Sequence, residues 1–217
     1  MKGEDEVRVL AIGAHFDDVE LGCGGTLLRH VANGDDVNIL VVSKSDYVSK
    51  NTSHIREEET ALSEGIKSAN MMQANLITGT FKTLELEASK ELVNFLCENV
   101  QKVNPQIVYT HFTGDQHLDH QAIAKSSLIA TRWVKKVVAY VSNVYDTSPI
   151  FSPNYFVDIS NEFEKKMELI ECFESEKETH PNWRRQLECF NGLYGIKIGR
   201  RFAEPFEIIR IVEEETS

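Results

Sequence analysis

Positive charge is in short supply: 217 residues carry 23 Lys and Arg against 34 Asp and Glu, a formal net charge of −11. That balance repels phosphate backbones, and no basic stripe with interleaved aromatics offsets it, so nucleic acid is excluded as a partner. No apolar run nears the roughly 20 residues of a membrane span. Met1-Lys2-Gly3-Glu4-Asp5-Glu6 is charged and leads straight into an apolar segment, without a secretory h-region, so a cytoplasmic enzyme is expected. Cysteine is also sparse. Cys23, Cys97, Cys172 and Cys189 form no C-x-x-C pair, which removes the zinc-knuckle and redox readings and leaves free, mostly buried thiols. Cys23 sits in a glycine-rich turn without a positioned base, so it lacks the pairing of an activated nucleophile. Neither G-x-G-x-x-G, G-x-x-x-x-G-K-[ST] nor G-x-S-x-G occurs, and the dinucleotide, P-loop and serine-hydrolase readings fall away.

What is present is an alternation of apolar strands with amphipathic helices. Residues 7–12 and 37–42 are continuous apolar runs, as in strands buried on both faces, with weaker strands at 76–79 and 107–110. Helices are expected at 22–33, stopped by Gly34, and at 54–69, 86–103 and 118–132. Beyond Lys136 the pattern loosens into strands at 137–141, 155–159 and 206–212 and helices at 161–174 and 182–193. The fold class is α/β, a Rossmann-like three-layer sandwich with a mostly parallel sheet. No linker, repeat or low-complexity tract divides the chain, so residues 1–217 are read as one domain.

The chemistry concentrates in two stretches, Ala14-His15-Phe16-Asp17-Asp18-Val19-Glu20 and His117-Leu118-Asp119-His120, each following a strand. Imidazoles and carboxylates at strand ends are what a catalytic zinc site needs, with three protein ligands and one open position. Adjacent aspartates point in different directions, which divides the labour. One of Asp17 and Asp18 can bind a metal with His15 while its neighbour accepts a proton from a water made acidic by that metal. One of His117 and His120 can complete the site while the other, oriented by a carboxylate, donates to a developing oxyanion. Singly, Asp17 or Asp18 would read as a helix cap and the histidines as surface or core residues; jointly they read as a metal site. His30, His54, His111 and His180 have no comparable partners in sequence. Gly22, Gly24 and Gly25 are read as letting a helix pack closely on the sheet.

These residues resemble a known family. Ala14-His15-Phe16-Asp17-Asp18-Val19-Glu20, with Gly22, Gly24, Gly25 and Thr26, is similar to the A-H-P-D-D-x-E signature of the LmbE-like, or PIG-L, zinc-dependent N-acetylglucosaminyl deacetylases. Asp115-x-His117-Leu118-Asp119-His120 resembles the second motif of that family, D-x-H-P-D-H. Arg56 and Glu59 resemble its R-x-x-E helix start, Val157-Asp158-Ile159-Ser160 its V-D-I-S segment, and Ala203-Glu204-Pro205-Phe206 its closing A-E-x-F. The resemblance implies His15, Asp18 and His120 as zinc ligands, Asp17 as general base, His117 as oxyanion stabiliser, Asp119 as the residue orienting His117, and Arg56 near the base and the sugar. It implies hydrolysis of an N-acetyl group from a small amino-sugar substrate; relatives are often multimeric, which leaves a homo-oligomer open, while the sequence itself displays no self-complementary surface.

The sequence departs from the family at Phe16 and Leu118, which replace prolines, at Ser175-Glu176, where many members have Ser-Gln, and in the loop 44–53. These bear on substrate choice rather than on the reaction. Lys44, Lys50 and Arg201 are candidates for meeting an acidic group, with solvated surface the plainer reading. Iron, manganese or cobalt would also suit two imidazoles and a carboxylate. An amidase using the same site on larger conjugates and a metal-dependent binding protein without turnover are the alternative readings.

Overall fold

Val9, Leu10, Ala11 and Ile12 are fully buried, and alternate members face opposite ways. Val9 and Ala11 join an apolar cluster with Val19, Leu27 and Val37, whereas Leu10 and Ile12 join another with Leu40, Leu92 and Ile123. A strand apolar on both faces needs helices on both, and that requirement defines a three-layer sandwich. The computed structural model describes residues 6–48, 55–143 and 145–213. It places β1 (Arg8–Gly13) in the interior of a seven-stranded sheet, paired in parallel with β2 (Asp36–Ser43) and with β6 (Ile107–His111). Outside β2 lies β5 (Asn75–Phe81), and outside β6 lies β7 (Lys136–Tyr140), both again parallel. The chain therefore runs outward from β1 to one edge, then returns to the other side of β1. That reversal makes a crevice at the carboxyl ends of β1 and β6, where ligands of open α/β sheets bind.

The crossover helices are α1 (Asp18–Ala32), α2 (Glu58–Met72), α3 (Lys90–Val103) and α4 (Leu118–Ala130). Between β2 and α2, a two-residue antiparallel ladder joins β3 (Tyr47–Val48) to β4 (Ile55–Arg56). After β7 the pattern changes. β8 (Tyr155–Asp158) and β9 (Ala203–Ile211) close the sheet antiparallel, with α5 (Phe163–Ile170), a 3-10 turn (Glu174–Glu176) and α6 (Trp183–Lys197) between them. A buried ion pair, Lys166 Nζ to Glu204 Oε1 at 2.7 Å, ties this last part to α1. Lys166 donates to the Leu21 carbonyl, and Glu204 accepts from the amides of Gly25 and Thr26.

Several boundaries differ from the sequence reading. α1 begins at Asp18 rather than at residue 22, because Asp18 and Glu20 suit the positive end of a helix and Val19 and Cys23 belong on its buried face. α2 begins at Glu58, since Arg56 is held in a strand, and His54 and Lys50 lie outside the described residues. The expected helix 161–174 is α5 plus the separate turn. The close-packing reading holds for Gly22, where a Cβ would lie 2.1 Å from the Tyr140 ring, and for Gly25, where one would lie 2.8 Å from Ile159, but not for Gly24, whose Cβ would come no nearer than 3.7 Å to Lys166. Cys23 and Cys172 are buried, Cys97 half-buried and Cys189 exposed, all free. Burial pushes the Cys23 thiol well up, which keeps it protonated. Lys44 pairs with Glu58 at 2.8 Å, and Arg201 lies over the Phe202 ring. No helix among the described residues is long and apolar enough to cross a membrane.

Candidate metal centre

The four residues between β1 and α1 form a tight loop whose amides are held by side chains from three directions. Ala14 N–H donates to His111 Nε2 at 3.1 Å, His15 N–H to Asp18 Oδ2 at 2.8 Å, and Phe16 N–H to Ser45 Oγ at 2.9 Å. Asp17, the last residue before the helix, stands at φ 122°, a conformation rare for a residue with a side chain and typical of functional loops. Phe16 is buried, and a Cβ on Gly65 of α2 would lie 2.2 Å from its ring. The aromatic residue in place of proline thus anchors the loop in the core.

The second motif is built on a different scaffold. Asp115 Oδ1 accepts from His117 N–H at 2.8 Å, while its Oδ2 lies 2.9 Å from His120 Nδ1, so one carboxylate sets both the turn and the imidazole. His117 is the N-cap of α4, and its Nδ1 accepts from Asp119 N–H at 3.2 Å. The resemblance assigns Asp119 to orienting His117, but its carboxylate is engaged elsewhere. Oδ2 lies 2.9 Å from His15 Nε2 and accepts from Leu84 N–H at 2.7 Å, and Oδ1 accepts from Leu86 N–H at 3.1 Å. The carboxylate therefore holds His15, and only the backbone of Asp119 reaches His117.

The two loops converge on Asp18. Its Oδ1 lies 3.1 Å from His120 Nε2 and accepts from Ser142 Oγ at 2.8 Å; its Oδ2 lies 3.3 Å from both His15 Nδ1 and His111 Nε2. Among the described residues, two overlapping groups bring possible ligand atoms within 4.8 Å of one another: His15, His117 and His120, and Asp18, His111 and His120. The expected trio of His15, Asp18 and His120 straddles them, with Asp18 bridging its two imidazoles.

The electrostatics mark a place that stabilises positive charge. Burial lowers the proton affinity of His15, but Asp119 and Asp18 outweigh it and raise the pKa to about 9. Burial likewise opposes protonation of His120, yet Asp18 and Asp115 raise it to about 10. Asp18, though buried, is held well below the usual carboxylate range by His120 and His111. Nitrogen and oxygen donors whose protons are stabilised by surrounding carboxylates are the donor set that a divalent transition metal replaces protons on. The residues present fit such an ion. His117 differs: burial and the neighbouring His120 and His15 lower it to about 4, so its ring is neutral near pH 7. Because Nδ1 accepts a backbone N–H, the ring proton resides on Nε2.

Asp17 and Arg56 line the same cavity of about 300 Å³ as His15, Asp18, His117 and His120. Burial, then the adjacent Asp18, raises the Asp17 carboxyl well above its ordinary range, against the opposing pull of Arg56. Arg56 is 2% exposed and lies 3.9 Å from Asp17, 3.0 Å from Glu176 Oε1 and 3.2 Å from Glu64 Oε2. Five further residues stand at or behind the site: Ser142 and Glu64, which the sequence reading did not name; His111, which it set aside; and Asp115 and Glu176, which it quoted without a role at the site. Asp115 stood in the quoted motif, and His111 could have been suspected from its place at the end of a strand leading into it. Ser142, just beyond β7, carries no local signal.

A parallel α/β sheet with a histidine and aspartate cluster at its switch point belongs to a class that comparison with known proteins makes specific. The chain belongs to the PIG-L family, described as GlcNAc-PI de-N-acetylase, which matches residues 10–131. It is 27% identical over 157 residues to the uncharacterized deacetylase YaiS of Escherichia coli, covering 71% of this chain and 83% of that protein. It is 27% identical over 232 residues to the diacetylchitobiose deacetylase of Thermococcus kodakarensis, covering 94% of this chain and 84% of the relative. Among solved structures, the N,N'-diacetylchitobiose deacetylase of Pyrococcus horikoshii superposes with a TM-score of 0.82 at 21% identity, covering 95% of this chain and 85% of that one.

Proposed function

We propose that this protein is a zinc-dependent N-deacetylase that releases acetate from a small molecule containing N-acetylglucosamine. The observation that carries the reading is the Asp18 carboxylate set between His15 and His120, with Asp17 beside it facing the cavity. Membership of a de-N-acetylase family and relatives named as deacetylases support the substrate class. His15, Asp18 and His120 would hold the ion, which when bound supplies Lewis acidity toward water and a carbonyl oxygen.

The remaining work falls to side chains. Asp17, raised in basicity by burial, takes the proton of the attacking water as its oxygen bonds to the amide carbonyl carbon. His117 donates from Nε2 to the oxygen on which negative charge develops. The carbon–nitrogen bond then breaks, the proton held by Asp17 passes to the departing nitrogen, and the free amine and acetate leave. Asp119 and Asp115 fix the rings of His15 and His120. Arg56, 3.9 Å from Asp17, we assign to the substrate side of the base. Four unpaired cysteines suit a reducing compartment, so we place the enzyme in the cytoplasm, acting as one domain.

Incubation of zinc-loaded protein with N-acetylglucosamine glycosides, followed by mass spectrometry of the products, tests the reading. Loss of about 42 mass units, an acetyl group replaced by hydrogen, with equimolar acetate, abolished by chelation, is the expected result. Intact substrates across the panel would contradict it.

A further inference from the structure

The cavity above the metal centre has an unusual charge arrangement. Among the described residues lining it, Arg56 is the one arginine or lysine, against the carboxylates of Asp17, Asp18 and Glu176. That guanidinium is already engaged: Nη1 meets Glu176 Oε1 at 3.0 Å and the Phe16 carbonyl at 3.3 Å, and Nη2 meets Glu64 Oε2 at 3.2 Å. Both carboxylates are anchored in turn. Glu64 accepts from the amide and hydroxyl of Ser175, each at 2.7 Å, and Glu176 Oε2 accepts from Tyr47 OH at 2.8 Å. Freeing Arg56 for an incoming anion would strand two buried carboxylates. Of the lining histidines outside the two metal motifs, His180 is stacked on Trp183 with ring centroids 5.0 Å apart, and burial lowers its proton affinity.

Two exposed side chains with large apolar surface line the cavity. Leu84 is 63% exposed, and Tyr145, also lining the cavity, is 54% exposed. Leu84 is held there at φ 63°, its N–H bonded to Asp119 Oδ2 at 2.7 Å, so the carboxylate that holds His15 also fixes an apolar side chain at the entrance. An apolar residue kept exposed in a left-handed conformation beside a reactive site is a feature to be explained by what it touches.

We propose that the site takes an uncharged N-acetylglucosamine glycoside whose aglycone is apolar and turns away sugar phosphates, with Glu176 neutralising Arg56 and Leu84 receiving the aglycone. This inference rests on the deacetylase reading for the sugar and adds the class of its conjugate.

The test compares phenyl N-acetyl-β-glucosaminide, the methyl glycoside and N-acetylglucosamine 1-phosphate, by calorimetric binding to the zinc-loaded protein and by amine release. The phenyl glycoside should bind about 10-fold more tightly than the methyl one, and the phosphate about 10-fold more weakly, the scale expected for one buried ring and one unmatched charge. Leu84→Ser should erase most of the phenyl advantage, and Glu176→Gln should narrow the gap between methyl glycoside and phosphate. A phosphate bound as tightly as the methyl glycoside, or a phenyl group that adds nothing, overturns the proposal. Binding in the expected order without amine release from any compound sustains this proposal and sinks the deacetylase reading instead.

Discussion

Asp119 Oδ2 lies 2.9 Å from His15 Nε2 across 104 positions of sequence, joining the loop after β1 to the first turn of α4. The same oxygen accepts the Leu84 amide, so one carboxylate aligns a metal-ligand candidate, a helix start and the cavity mouth. A carboxylate behind a ligating imidazole fixes the ring and raises its basicity. Asp119→Asn should therefore weaken zinc binding by about 10–100-fold while the fold persists. Competition with a chromogenic chelator measures it, and unchanged affinity would show that His15 needs no such support.

Asp17 should act on the proton rather than on the ion. In Asp17→Asn, zinc content should stay near that of the parent while kcat falls by about 100-fold or more, the usual scale for a lost general base. Full turnover in that variant would remove Asp17 from the chemistry.

The Lys166–Glu204 pair should matter for stability far more than any surface pair. Both side chains are fully buried, and Glu204 also accepts at 2.5 Å from Thr26 Oγ1. Glu204→Ala would leave Lys166 uncompensated, and a loss of about 3–5 kcal/mol is expected from urea unfolding. A loss near that of an exposed pair such as Arg184 with Glu164, under about 1 kcal/mol, would contradict the assignment.

Gly22 offers a test of packing beneath the site. A Cβ there would lie 2.1 Å from Tyr140 Cδ2, and the Tyr140 hydroxyl donates to the Ile12 carbonyl at 2.8 Å, so the ring has little room to retreat. Gly22→Ala should cost about 1–3 kcal/mol, the range for overpacking a dense core, despite alanine's better helix propensity. An unchanged urea midpoint would mean that α1 can lift off the sheet freely.

The central strands were legible because a strand buried on both faces leaves a continuous apolar run, as at Val9 to Ile12. The start of α1 was not, because Asp18 and Glu20 read as loop residues until their place at a helix N-terminus is seen. The antiparallel direction of β9 was hidden as well, since period-two patterning carries no direction. At the site, the spacing of His15, Asp17 and Asp18, and of His117, Asp119 and His120, pointed to two segments following strands, and the fold brings these segments together. Their partners depended on tertiary geometry: which ring the Asp119 carboxylate meets, and that Ser142 and Glu64 close in from other segments, leaves no local pattern, and Glu176 stood out in the sequence without its ion pair to Arg56 being legible.

The most direct measurement is anomalous diffraction at the zinc absorption edge from crystals grown with the metal. One peak is predicted, at about 2.0–2.2 Å from a nitrogen of His15, a nitrogen of His120 and an oxygen of Asp18. A peak that instead engages His111 with Asp18 and His120, leaving His15 uncoordinated, or no peak at this end of the sheet, would contradict it.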